Sequence, residues 1–214
     1  MSDKIVKYFR TFHLPWSESV ADDDIVRTSP FDENSNVVVT LKLDGESSSA
    51  YPSGRTHARS IDSVNHPSRN YLKSYWAERC YQLPEGWRVC GENCFAKHSI
   101  FYTDLESYFY VYSIWDDNNN CLSFSDTKEW CALLDLVHVP VIYSGVYDEK
   151  LIKQSFLEHK EKHEGYVIRT EGSFHYDNSS ENIAKYVRKN HIQSTEHWLH
   201  QEIVPNLLKQ LTTP

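Results

Sequence analysis

The chain has 214 residues, of which 40% are hydrophobic and 24% charged, and this suits one large globular domain with a sizeable core. No apolar run approaches the length of a membrane span, and the opening MSDKIVKYFR is too charged for a signal peptide, so a soluble intracellular protein is expected. A formal net charge of −8 argues against indiscriminate nucleic-acid binding, although the basic stretch KYVRKNH leaves room for a local groove.

The first segment is irregular and acidic, with Glu18, Asp22, Asp23, Asp24, Asp32 and Glu33. Residues 36–60 then read as a strand, a hairpin around YPSGR and a second strand. Side chains alternate along a strand, so Val37, Val39, Leu41 and Leu43 line one face, which reads as core. Val38, Thr40, Lys42 and Asp44 line the other. An amine and a carboxylate therefore stand together at the strand's end, where Gly45 lets the backbone turn or a ligand come close. That is a solvated edge or a site.

Pro67 opens a helix with Tyr71, Leu72, Tyr75, Trp76 and Cys80 on one stripe. WRVCGE and YFYVYSIWDD follow as strands, the second ending in the turn-rich DDNNN. SDTKEWCALLDLV reads as a helix capped by Asp126, with Glu129 three residues later completing a capping box. VPVIYSGVY is a further strand and DEKLIKQSFLEHKEKH a further helix. GYVIR and IAKYV are short strands, and STEHWLHQEIVPNLLKQL reads as a closing helix with Trp198, Ile203 and Leu207 as its packing stripe. The order predicts an α+β fold with largely antiparallel sheets. With no linker in view, residues 1–214 form one domain, its core at about 36–190 and the C-terminal helix at about 194–211. The five cysteines are odd in number and lack metal-site spacing, which marks them as buried thiols.

Several charged residues recur beside glycine or inside strands. Lys42 opens K-L-D-G, Glu92 follows Gly91 in CGEN, Glu164 precedes Gly165 in EGYVIR, and Lys185 interrupts the apolar AKYV. Each alone has a bland account as a turn carboxylate or a snorkelling lysine. In this order they resemble the motif set of the RNA-ligase branch of covalent nucleotidyltransferases, a superfamily that also holds DNA ligases and mRNA capping enzymes. The matching pieces are KLDG, HARS, CGEN, YVYSIW, EGYVIR and AKYVR, spanning residues 42–188, and the tail RKNHIQSTEHW is similar to that of many phage and bacterial RNA ligases.

The resemblance implies a nucleotidyltransferase fold and three steps: AMP passes from ATP to Lys42, then to an RNA 5′-phosphate, and a 3′-hydroxyl displaces it to seal the strand. A lysine attacks phosphorus only when unprotonated, and its reference pKa is about 10.4. A nearby cation and partial burial favour the neutral amine, which suits Lys185 as the neighbour that also grips the α-phosphate. Glu164 is the expected organiser of a divalent metal, Mg²⁺ or Mn²⁺. Asp44, Gly45, Arg59, Glu92 and Tyr112 would bind the nucleotide, with Glu92 on the ribose, Arg59 near ribose and phosphates, and Tyr112 stacked on adenine. Arg55 competes with Arg59, and Tyr108, Phe109, Tyr110 and Trp115 compete with Tyr112, since most strand aromatics are core. Arg169, Arg188 and Lys189 are candidates for RNA phosphates.

The departures from the family pattern are specific. Val187 stands where many relatives carry a second lysine, Thr40 and Leu41 where many carry a glutamate, and Tyr112 and Ser113 where phenylalanine and aspartate are frequent. Residues after Arg188 read as helix, not as the OB-type barrel usual in DNA ligases and capping enzymes. That disfavours DNA nick sealing and GTP-dependent capping, the alternatives within the superfamily. A non-catalytic nucleotide- or RNA-binding relative is the third alternative.

Overall fold

A computed structural model describes residues 3–29, 31–62, 65–189 and 202–210. Its strands are β1 (Phe12–His13), β2 (Asn36–Lys42), β3 (Glu46–Ala50), β4 (Thr56–Ala58), β5 (Arg88–Asn93), β6 (Phe109–Trp115), β7 (Asn120–Cys121), β8 (Val137–His138), β9 (Val141–Val146), β10 (Gly165–Thr170), β11 (Phe174–His175) and β12 (Ile183–Val187). Four helices interrupt them: α1 (Asn70–Ala77), α2 (Phe124–Leu133), α3 (Glu149–Ser155) and α4 (Ser179–Asn182).

The strands form two sheets, ordered β1-β12-β10-β2-β9 and β11-β7-β6-β5-β3-β4, with β8 also on β6. Every pairing is antiparallel except β1 with β12 and β6 with β8. The expected α+β fold with largely antiparallel sheets is therefore present.

Each sheet buries one face against helices. Behind the first lie Val37, Val39, Leu41, Ile168 and Ala184 with Ile152 and Phe156. Behind the second lie Ala50, Val89, Phe109 and Val111 with Leu72, Trp76, Cys131 and Leu134. The period-two pattern of β2 thus sends its valines to the core, as alternation requires, and leaves Thr40 and Lys42 on the inner face. Lys42 ends the first sheet and Glu46 begins the second, so KLDG is the crossover between them.

Two expectations need correction. The cap of α2 is Ser123, not Asp126. Ser123 Oγ accepts from Asp126 N at 3.1 Å and donates to the Asp126 carboxylate at 2.7 Å, so the cap sits three residues earlier. The closing helix over 194–211 falls partly on residues 190–201 and 211, outside the described residues. Where the chain is described, at 202–210, it is extended. Pro205 bridges Ala96 and Leu208 bridges Leu105. Proline disfavours the helical conformation in the residue before it, and Asn206 is fully buried, its side chain bonding Tyr102 N and Cys94 O at 2.8 Å each. Those two bonds would be lost on a helix.

Candidate active site

A cleft of about 480 Å³ opens between the inner faces of the two sheets. β10 runs antiparallel to β2 with Gly165 opposite Lys42, and β12 places Val187 next in the same row. A Cβ on Gly165 would lie 1.9 Å from the Tyr186 carbonyl oxygen, so only glycine lets β10 and β12 close up here. That register puts Glu164 beside Lys42, and their side chains meet at 2.5 Å. Thr40, Val167 and Lys185 form the next inward row.

The second sheet supplies the opposite wall. Ser47 pairs with Glu92. A bulge between Cys90 and Gly91 leaves Tyr112 as the extra residue of β6, since Val111 pairs with Gly91 and Ser113 with Cys90. Tyr112 joins the cleft lining, its hydroxyl 2.6 Å from Ser47 Oγ. Gly45 N donates to Glu92 Oε1 at 3.2 Å, and a Cβ on Gly45 would lie 2.6 Å from the Asn93 carbonyl oxygen. Glycine is therefore required by the approach of the two sheets.

The charges are strongly perturbed. Burial pushes the Lys42 amine down, but Glu164 and Glu92 outweigh it and carry Lys42 up to about 12. Burial pushes Glu92 up to about 8, and Glu164 and Asp44 add to the rise against the pull of Lys42. Lys185 is lowered by burial and by Lys42, with Asp24, 3.7 Å away, opposing. Lys42 beside Glu164 is thus an ammonium ion until its partner's charge is drawn elsewhere.

The cleft brings together Lys42, Gly45, Arg59, Glu92, Tyr112 and Lys185, with Glu164 touching Lys42. Of the competing arginines, Arg59 lines the cleft, while Arg55 is exposed in the hairpin. Asp44 sits apart. The strand has ended at Lys42, so alternation no longer applies, and the buried Asp44 carboxylate accepts from Ser99 N and Ile100 N at 2.7 Å each. Its expected place on the nucleotide becomes a supporting one beneath the loop.

Arg169, expected to contact RNA, also lines the cleft. Arg169 is buried, and its guanidinium donates to the carbonyls of Thr170, Leu122 and Gly172 and to Cys121 Sγ. Arg188 Nε donates to the His163 carbonyl at 2.8 Å, tying β12 to the segment before Glu164. Lys189 is exposed.

Sequence reasoning missed two groups. Arg69 grips Glu46 in a bidentate pair at 2.7 and 2.5 Å, both side chains nearly buried in the cleft wall. Tyr8 and Phe9 stack on each other at 4.4 Å, and Tyr8 meets Tyr112 edge-on at 5.1 Å. Glu46 follows KLDG directly and is the one signal available. No local spacing pointed to the partner Arg69 or to the N-terminal aromatics.

The model of the RNA ligase family matches residues 35–187, most of the chain. None of the curated proteins matches. Among solved structures, an archaeal ATP-dependent RNA ligase is 17% identical with a TM-score of 0.51, over 74% of this chain and 43% of its own. A Naegleria gruberi RNA ligase mutant with ATP and Mn is 16% identical with a TM-score of 0.49, over 73% and 51%. A putative ATP-dependent DNA ligase from Aquifex aeolicus is 18% identical with a TM-score of 0.49, over 74% and 44%. The matched part spans about half the length of these proteins or less.

Proposed function

The chain belongs to the RNA ligase family, and from that premise we propose that it joins RNA 5′-phosphate and 3′-hydroxyl ends with ATP, carrying AMP on Lys42. The observation that carries this reading is the lysine itself. Lys42 ends a strand inside a cleft, touches Glu164 at 2.5 Å, and shares the cleft with Glu92, Tyr112, Arg59 and Lys185.

In the first step the Lys42 nitrogen forms a bond to the α-phosphorus of ATP. The bond from that phosphorus to the oxygen bridging the β-phosphate breaks, and pyrophosphate leaves with the electron pair. The ammonium ion gives one proton to solvent before attack and a second as the N–P bond forms. Next, an oxygen of the RNA 5′-phosphate attacks the same phosphorus, and the N–P bond breaks as the nitrogen takes up a proton from solvent, returning the amine. Finally the 3′-hydroxyl attacks the 5′-phosphate, loses its proton and expels AMP.

The chain's own residues have separate tasks. Lys185 offsets negative charge as it builds on the α-phosphate. Tyr112 supplies a face for adenine, Glu92 meets the ribose, and Arg59 reaches from the rim. Among the described residues no group of three His, Cys, Asp or Glu is arranged to hold a metal. The carboxylate of Glu164 at the cleft fits a cation completed by phosphate oxygens and water, not a protein cage. When bound, Mg²⁺ or Mn²⁺ would neutralise the triphosphate and help pyrophosphate leave. Turning Glu164 toward it would free Lys42 of the carboxylate that holds its proton.

The test is labelling of the protein by radioactive ATP or GTP with Mg²⁺, followed by denaturation. Acid-labile label from ATP on the wild type, absent in Lys42→Ala, is the expected result. Equal labelling of Lys42→Ala would remove the mechanism, and label from GTP alone would point to capping chemistry. Ligation of nicked duplex, hairpin and single-stranded 5′-phosphate RNAs, with a nicked DNA control, then identifies the substrate.

A further inference from the structure

Residues before β2 lie outside the family match at 35–187, yet they build part of the cleft. β1 pairs with β12 so that His13 is opposite Lys185, and Leu14 N donates to the Lys185 carbonyl at 2.7 Å. The chain then doubles back: His13 N donates to the Ile25 carbonyl, and Arg27 N donates to the His13 carbonyl, both at 2.7 Å. This return brings Asp24 to Lys185.

The contacts around Asp24 form a small built arrangement. Its Oδ1 lies 3.7 Å from Lys185 Nζ, and its Oδ2 lies 3.0 Å from His13 Nε2. Oδ2 also accepts from Ala21 N at 3.1 Å. His13 is 1% exposed, and its Nε2, buried and close to Asp24, is out of line for a formed hydrogen bond. On the other edge of the ring, Nδ1 lies 2.8 Å from Ser17 Oγ, which in turn accepts from Val187 N at 2.9 Å. The imidazole is thus braced between β12 and the Asp24 carboxylate.

The charged groups that act on Lys185 are Lys42, Glu164, Arg59 and Asp24, and His13 stands opposite it on β1. Two are cations that push the amine toward losing its proton, and burial acts the same way. Glu164 also acts on Lys185 but meets Lys42 at 2.5 Å, whereas Asp24 lies within ion-pair distance of Lys185 itself, at 3.7 Å.

We propose that Asp24 is a positioning residue of the active site: held by the Ala21 backbone N–H and packed against His13, it keeps Lys185 in the cleft as a cation, so that of the two neighbouring lysines Lys42 becomes the nucleophile. The role rests on the reading of Lys42 given above, and it gives the N-terminal segment a part in the chemistry that the family match does not cover.

The test uses the full chain as wild type, Asp24→Asn and Asp24→Glu, with two readouts. The first follows protonation of Lys185 without nucleotide, as the pH dependence of its competitive acetylation measured by mass spectrometry. Asp24→Asn is expected to lower the midpoint by about one pH unit, and Asp24→Glu to restore it. The second is the rate of labelling by ATP, expected to fall about tenfold in Asp24→Asn at pH above the wild-type Lys185 midpoint, with recovery in Asp24→Glu. An unmoved Lys185 midpoint in Asp24→Asn overturns the proposal. So does a loss of labelling that is the same at every pH and is not recovered by glutamate, the mark of a purely structural role. A wild-type protein that takes no label would instead remove the ligase reading, while the acetylation midpoint would still decide whether Asp24 governs Lys185.

Discussion

The two walls of the cleft are built on different principles. On the β2–β10–β12 wall the functional groups are ions held by other ions, Lys42 on Glu164 and Lys185 on Asp24. On the β3–β5–β6 wall Tyr112 meets Ser47, Glu92 accepts from the Gly45 backbone, and Glu46 is locked to Arg69. Under the proposed function, the first wall would change its charge pairing when a polyanion and a metal arrive, whereas the second would keep its shape. Reactivity and fit would thereby fall to separate sheets, joined at KLDG.

That division can be broken from either side. The largest effect is expected from Arg69→Ala, which strands the buried Glu46 carboxylate and should cost about 3–5 kcal/mol of stability in urea unfolding. Labelling of the fraction that stays folded should persist, because the pair supports shape. Glu164→Gln, which leaves the Lys42 ammonium without its partner, should also cost stability, but its distinguishing effect is on chemistry: in the folded fraction the rate of AMP transfer should fall about 10²–10³-fold in single-turnover labelling. Should Glu164→Gln label at the wild-type rate, the reactive wall would have been misassigned.

Tyr112→Ala should cost about 1–3 kcal/mol, seen as a higher ATP concentration for half-maximal labelling, because base stacking on an aromatic has that size. Tyr112→Phe should retain most of the affinity, since the proposed stacking uses the ring and the hydroxyl is bonded to Ser47. The smallest effect concerns pH. Glu92 is raised to about 8, so the folded chain binds its proton more tightly than the unfolded chain. That contribution favours folding below the ordinary carboxylate range and is lost as pH rises toward 8. The melting temperature should therefore fall between pH 5 and pH 9, and less steeply in Glu92→Gln.

Much of this was legible in the sequence. Alternation along β2 separated core valines from Lys42, and Gly45 of KLDG stood out as a place of close approach, though to a ligand and not to the neighbouring sheet. What stayed hidden depends on distant pairing. Glu46 and Arg69, or Asp24 and Lys185, carry no shared spacing, and the acidic N-terminal segment read as irregular because its partner strand lies at the far end of the fold. The closing segment misled for a different reason. Its leucines mimic a helical stripe, but Pro205 and two side-chain bonds from buried Asn206 favour an extended path. Asp44 was misplaced because alternation was extended past the end of its strand.

The path of residues 202–210 also bears on the order in which the molecule can assemble. Asn206 bonds Cys94 and Tyr102 from 112 and 104 residues downstream, and the same loop supplies Ser99 N, Ile100 N and the Tyr102 hydroxyl that hold Asp44. Contacts so distant along the chain form late. The loop beneath Lys42 therefore lacks its fastening until residue 206 is in place, and chains truncated before residue 202 should be cut by protease near residues 95–105 while the 214-residue chain resists.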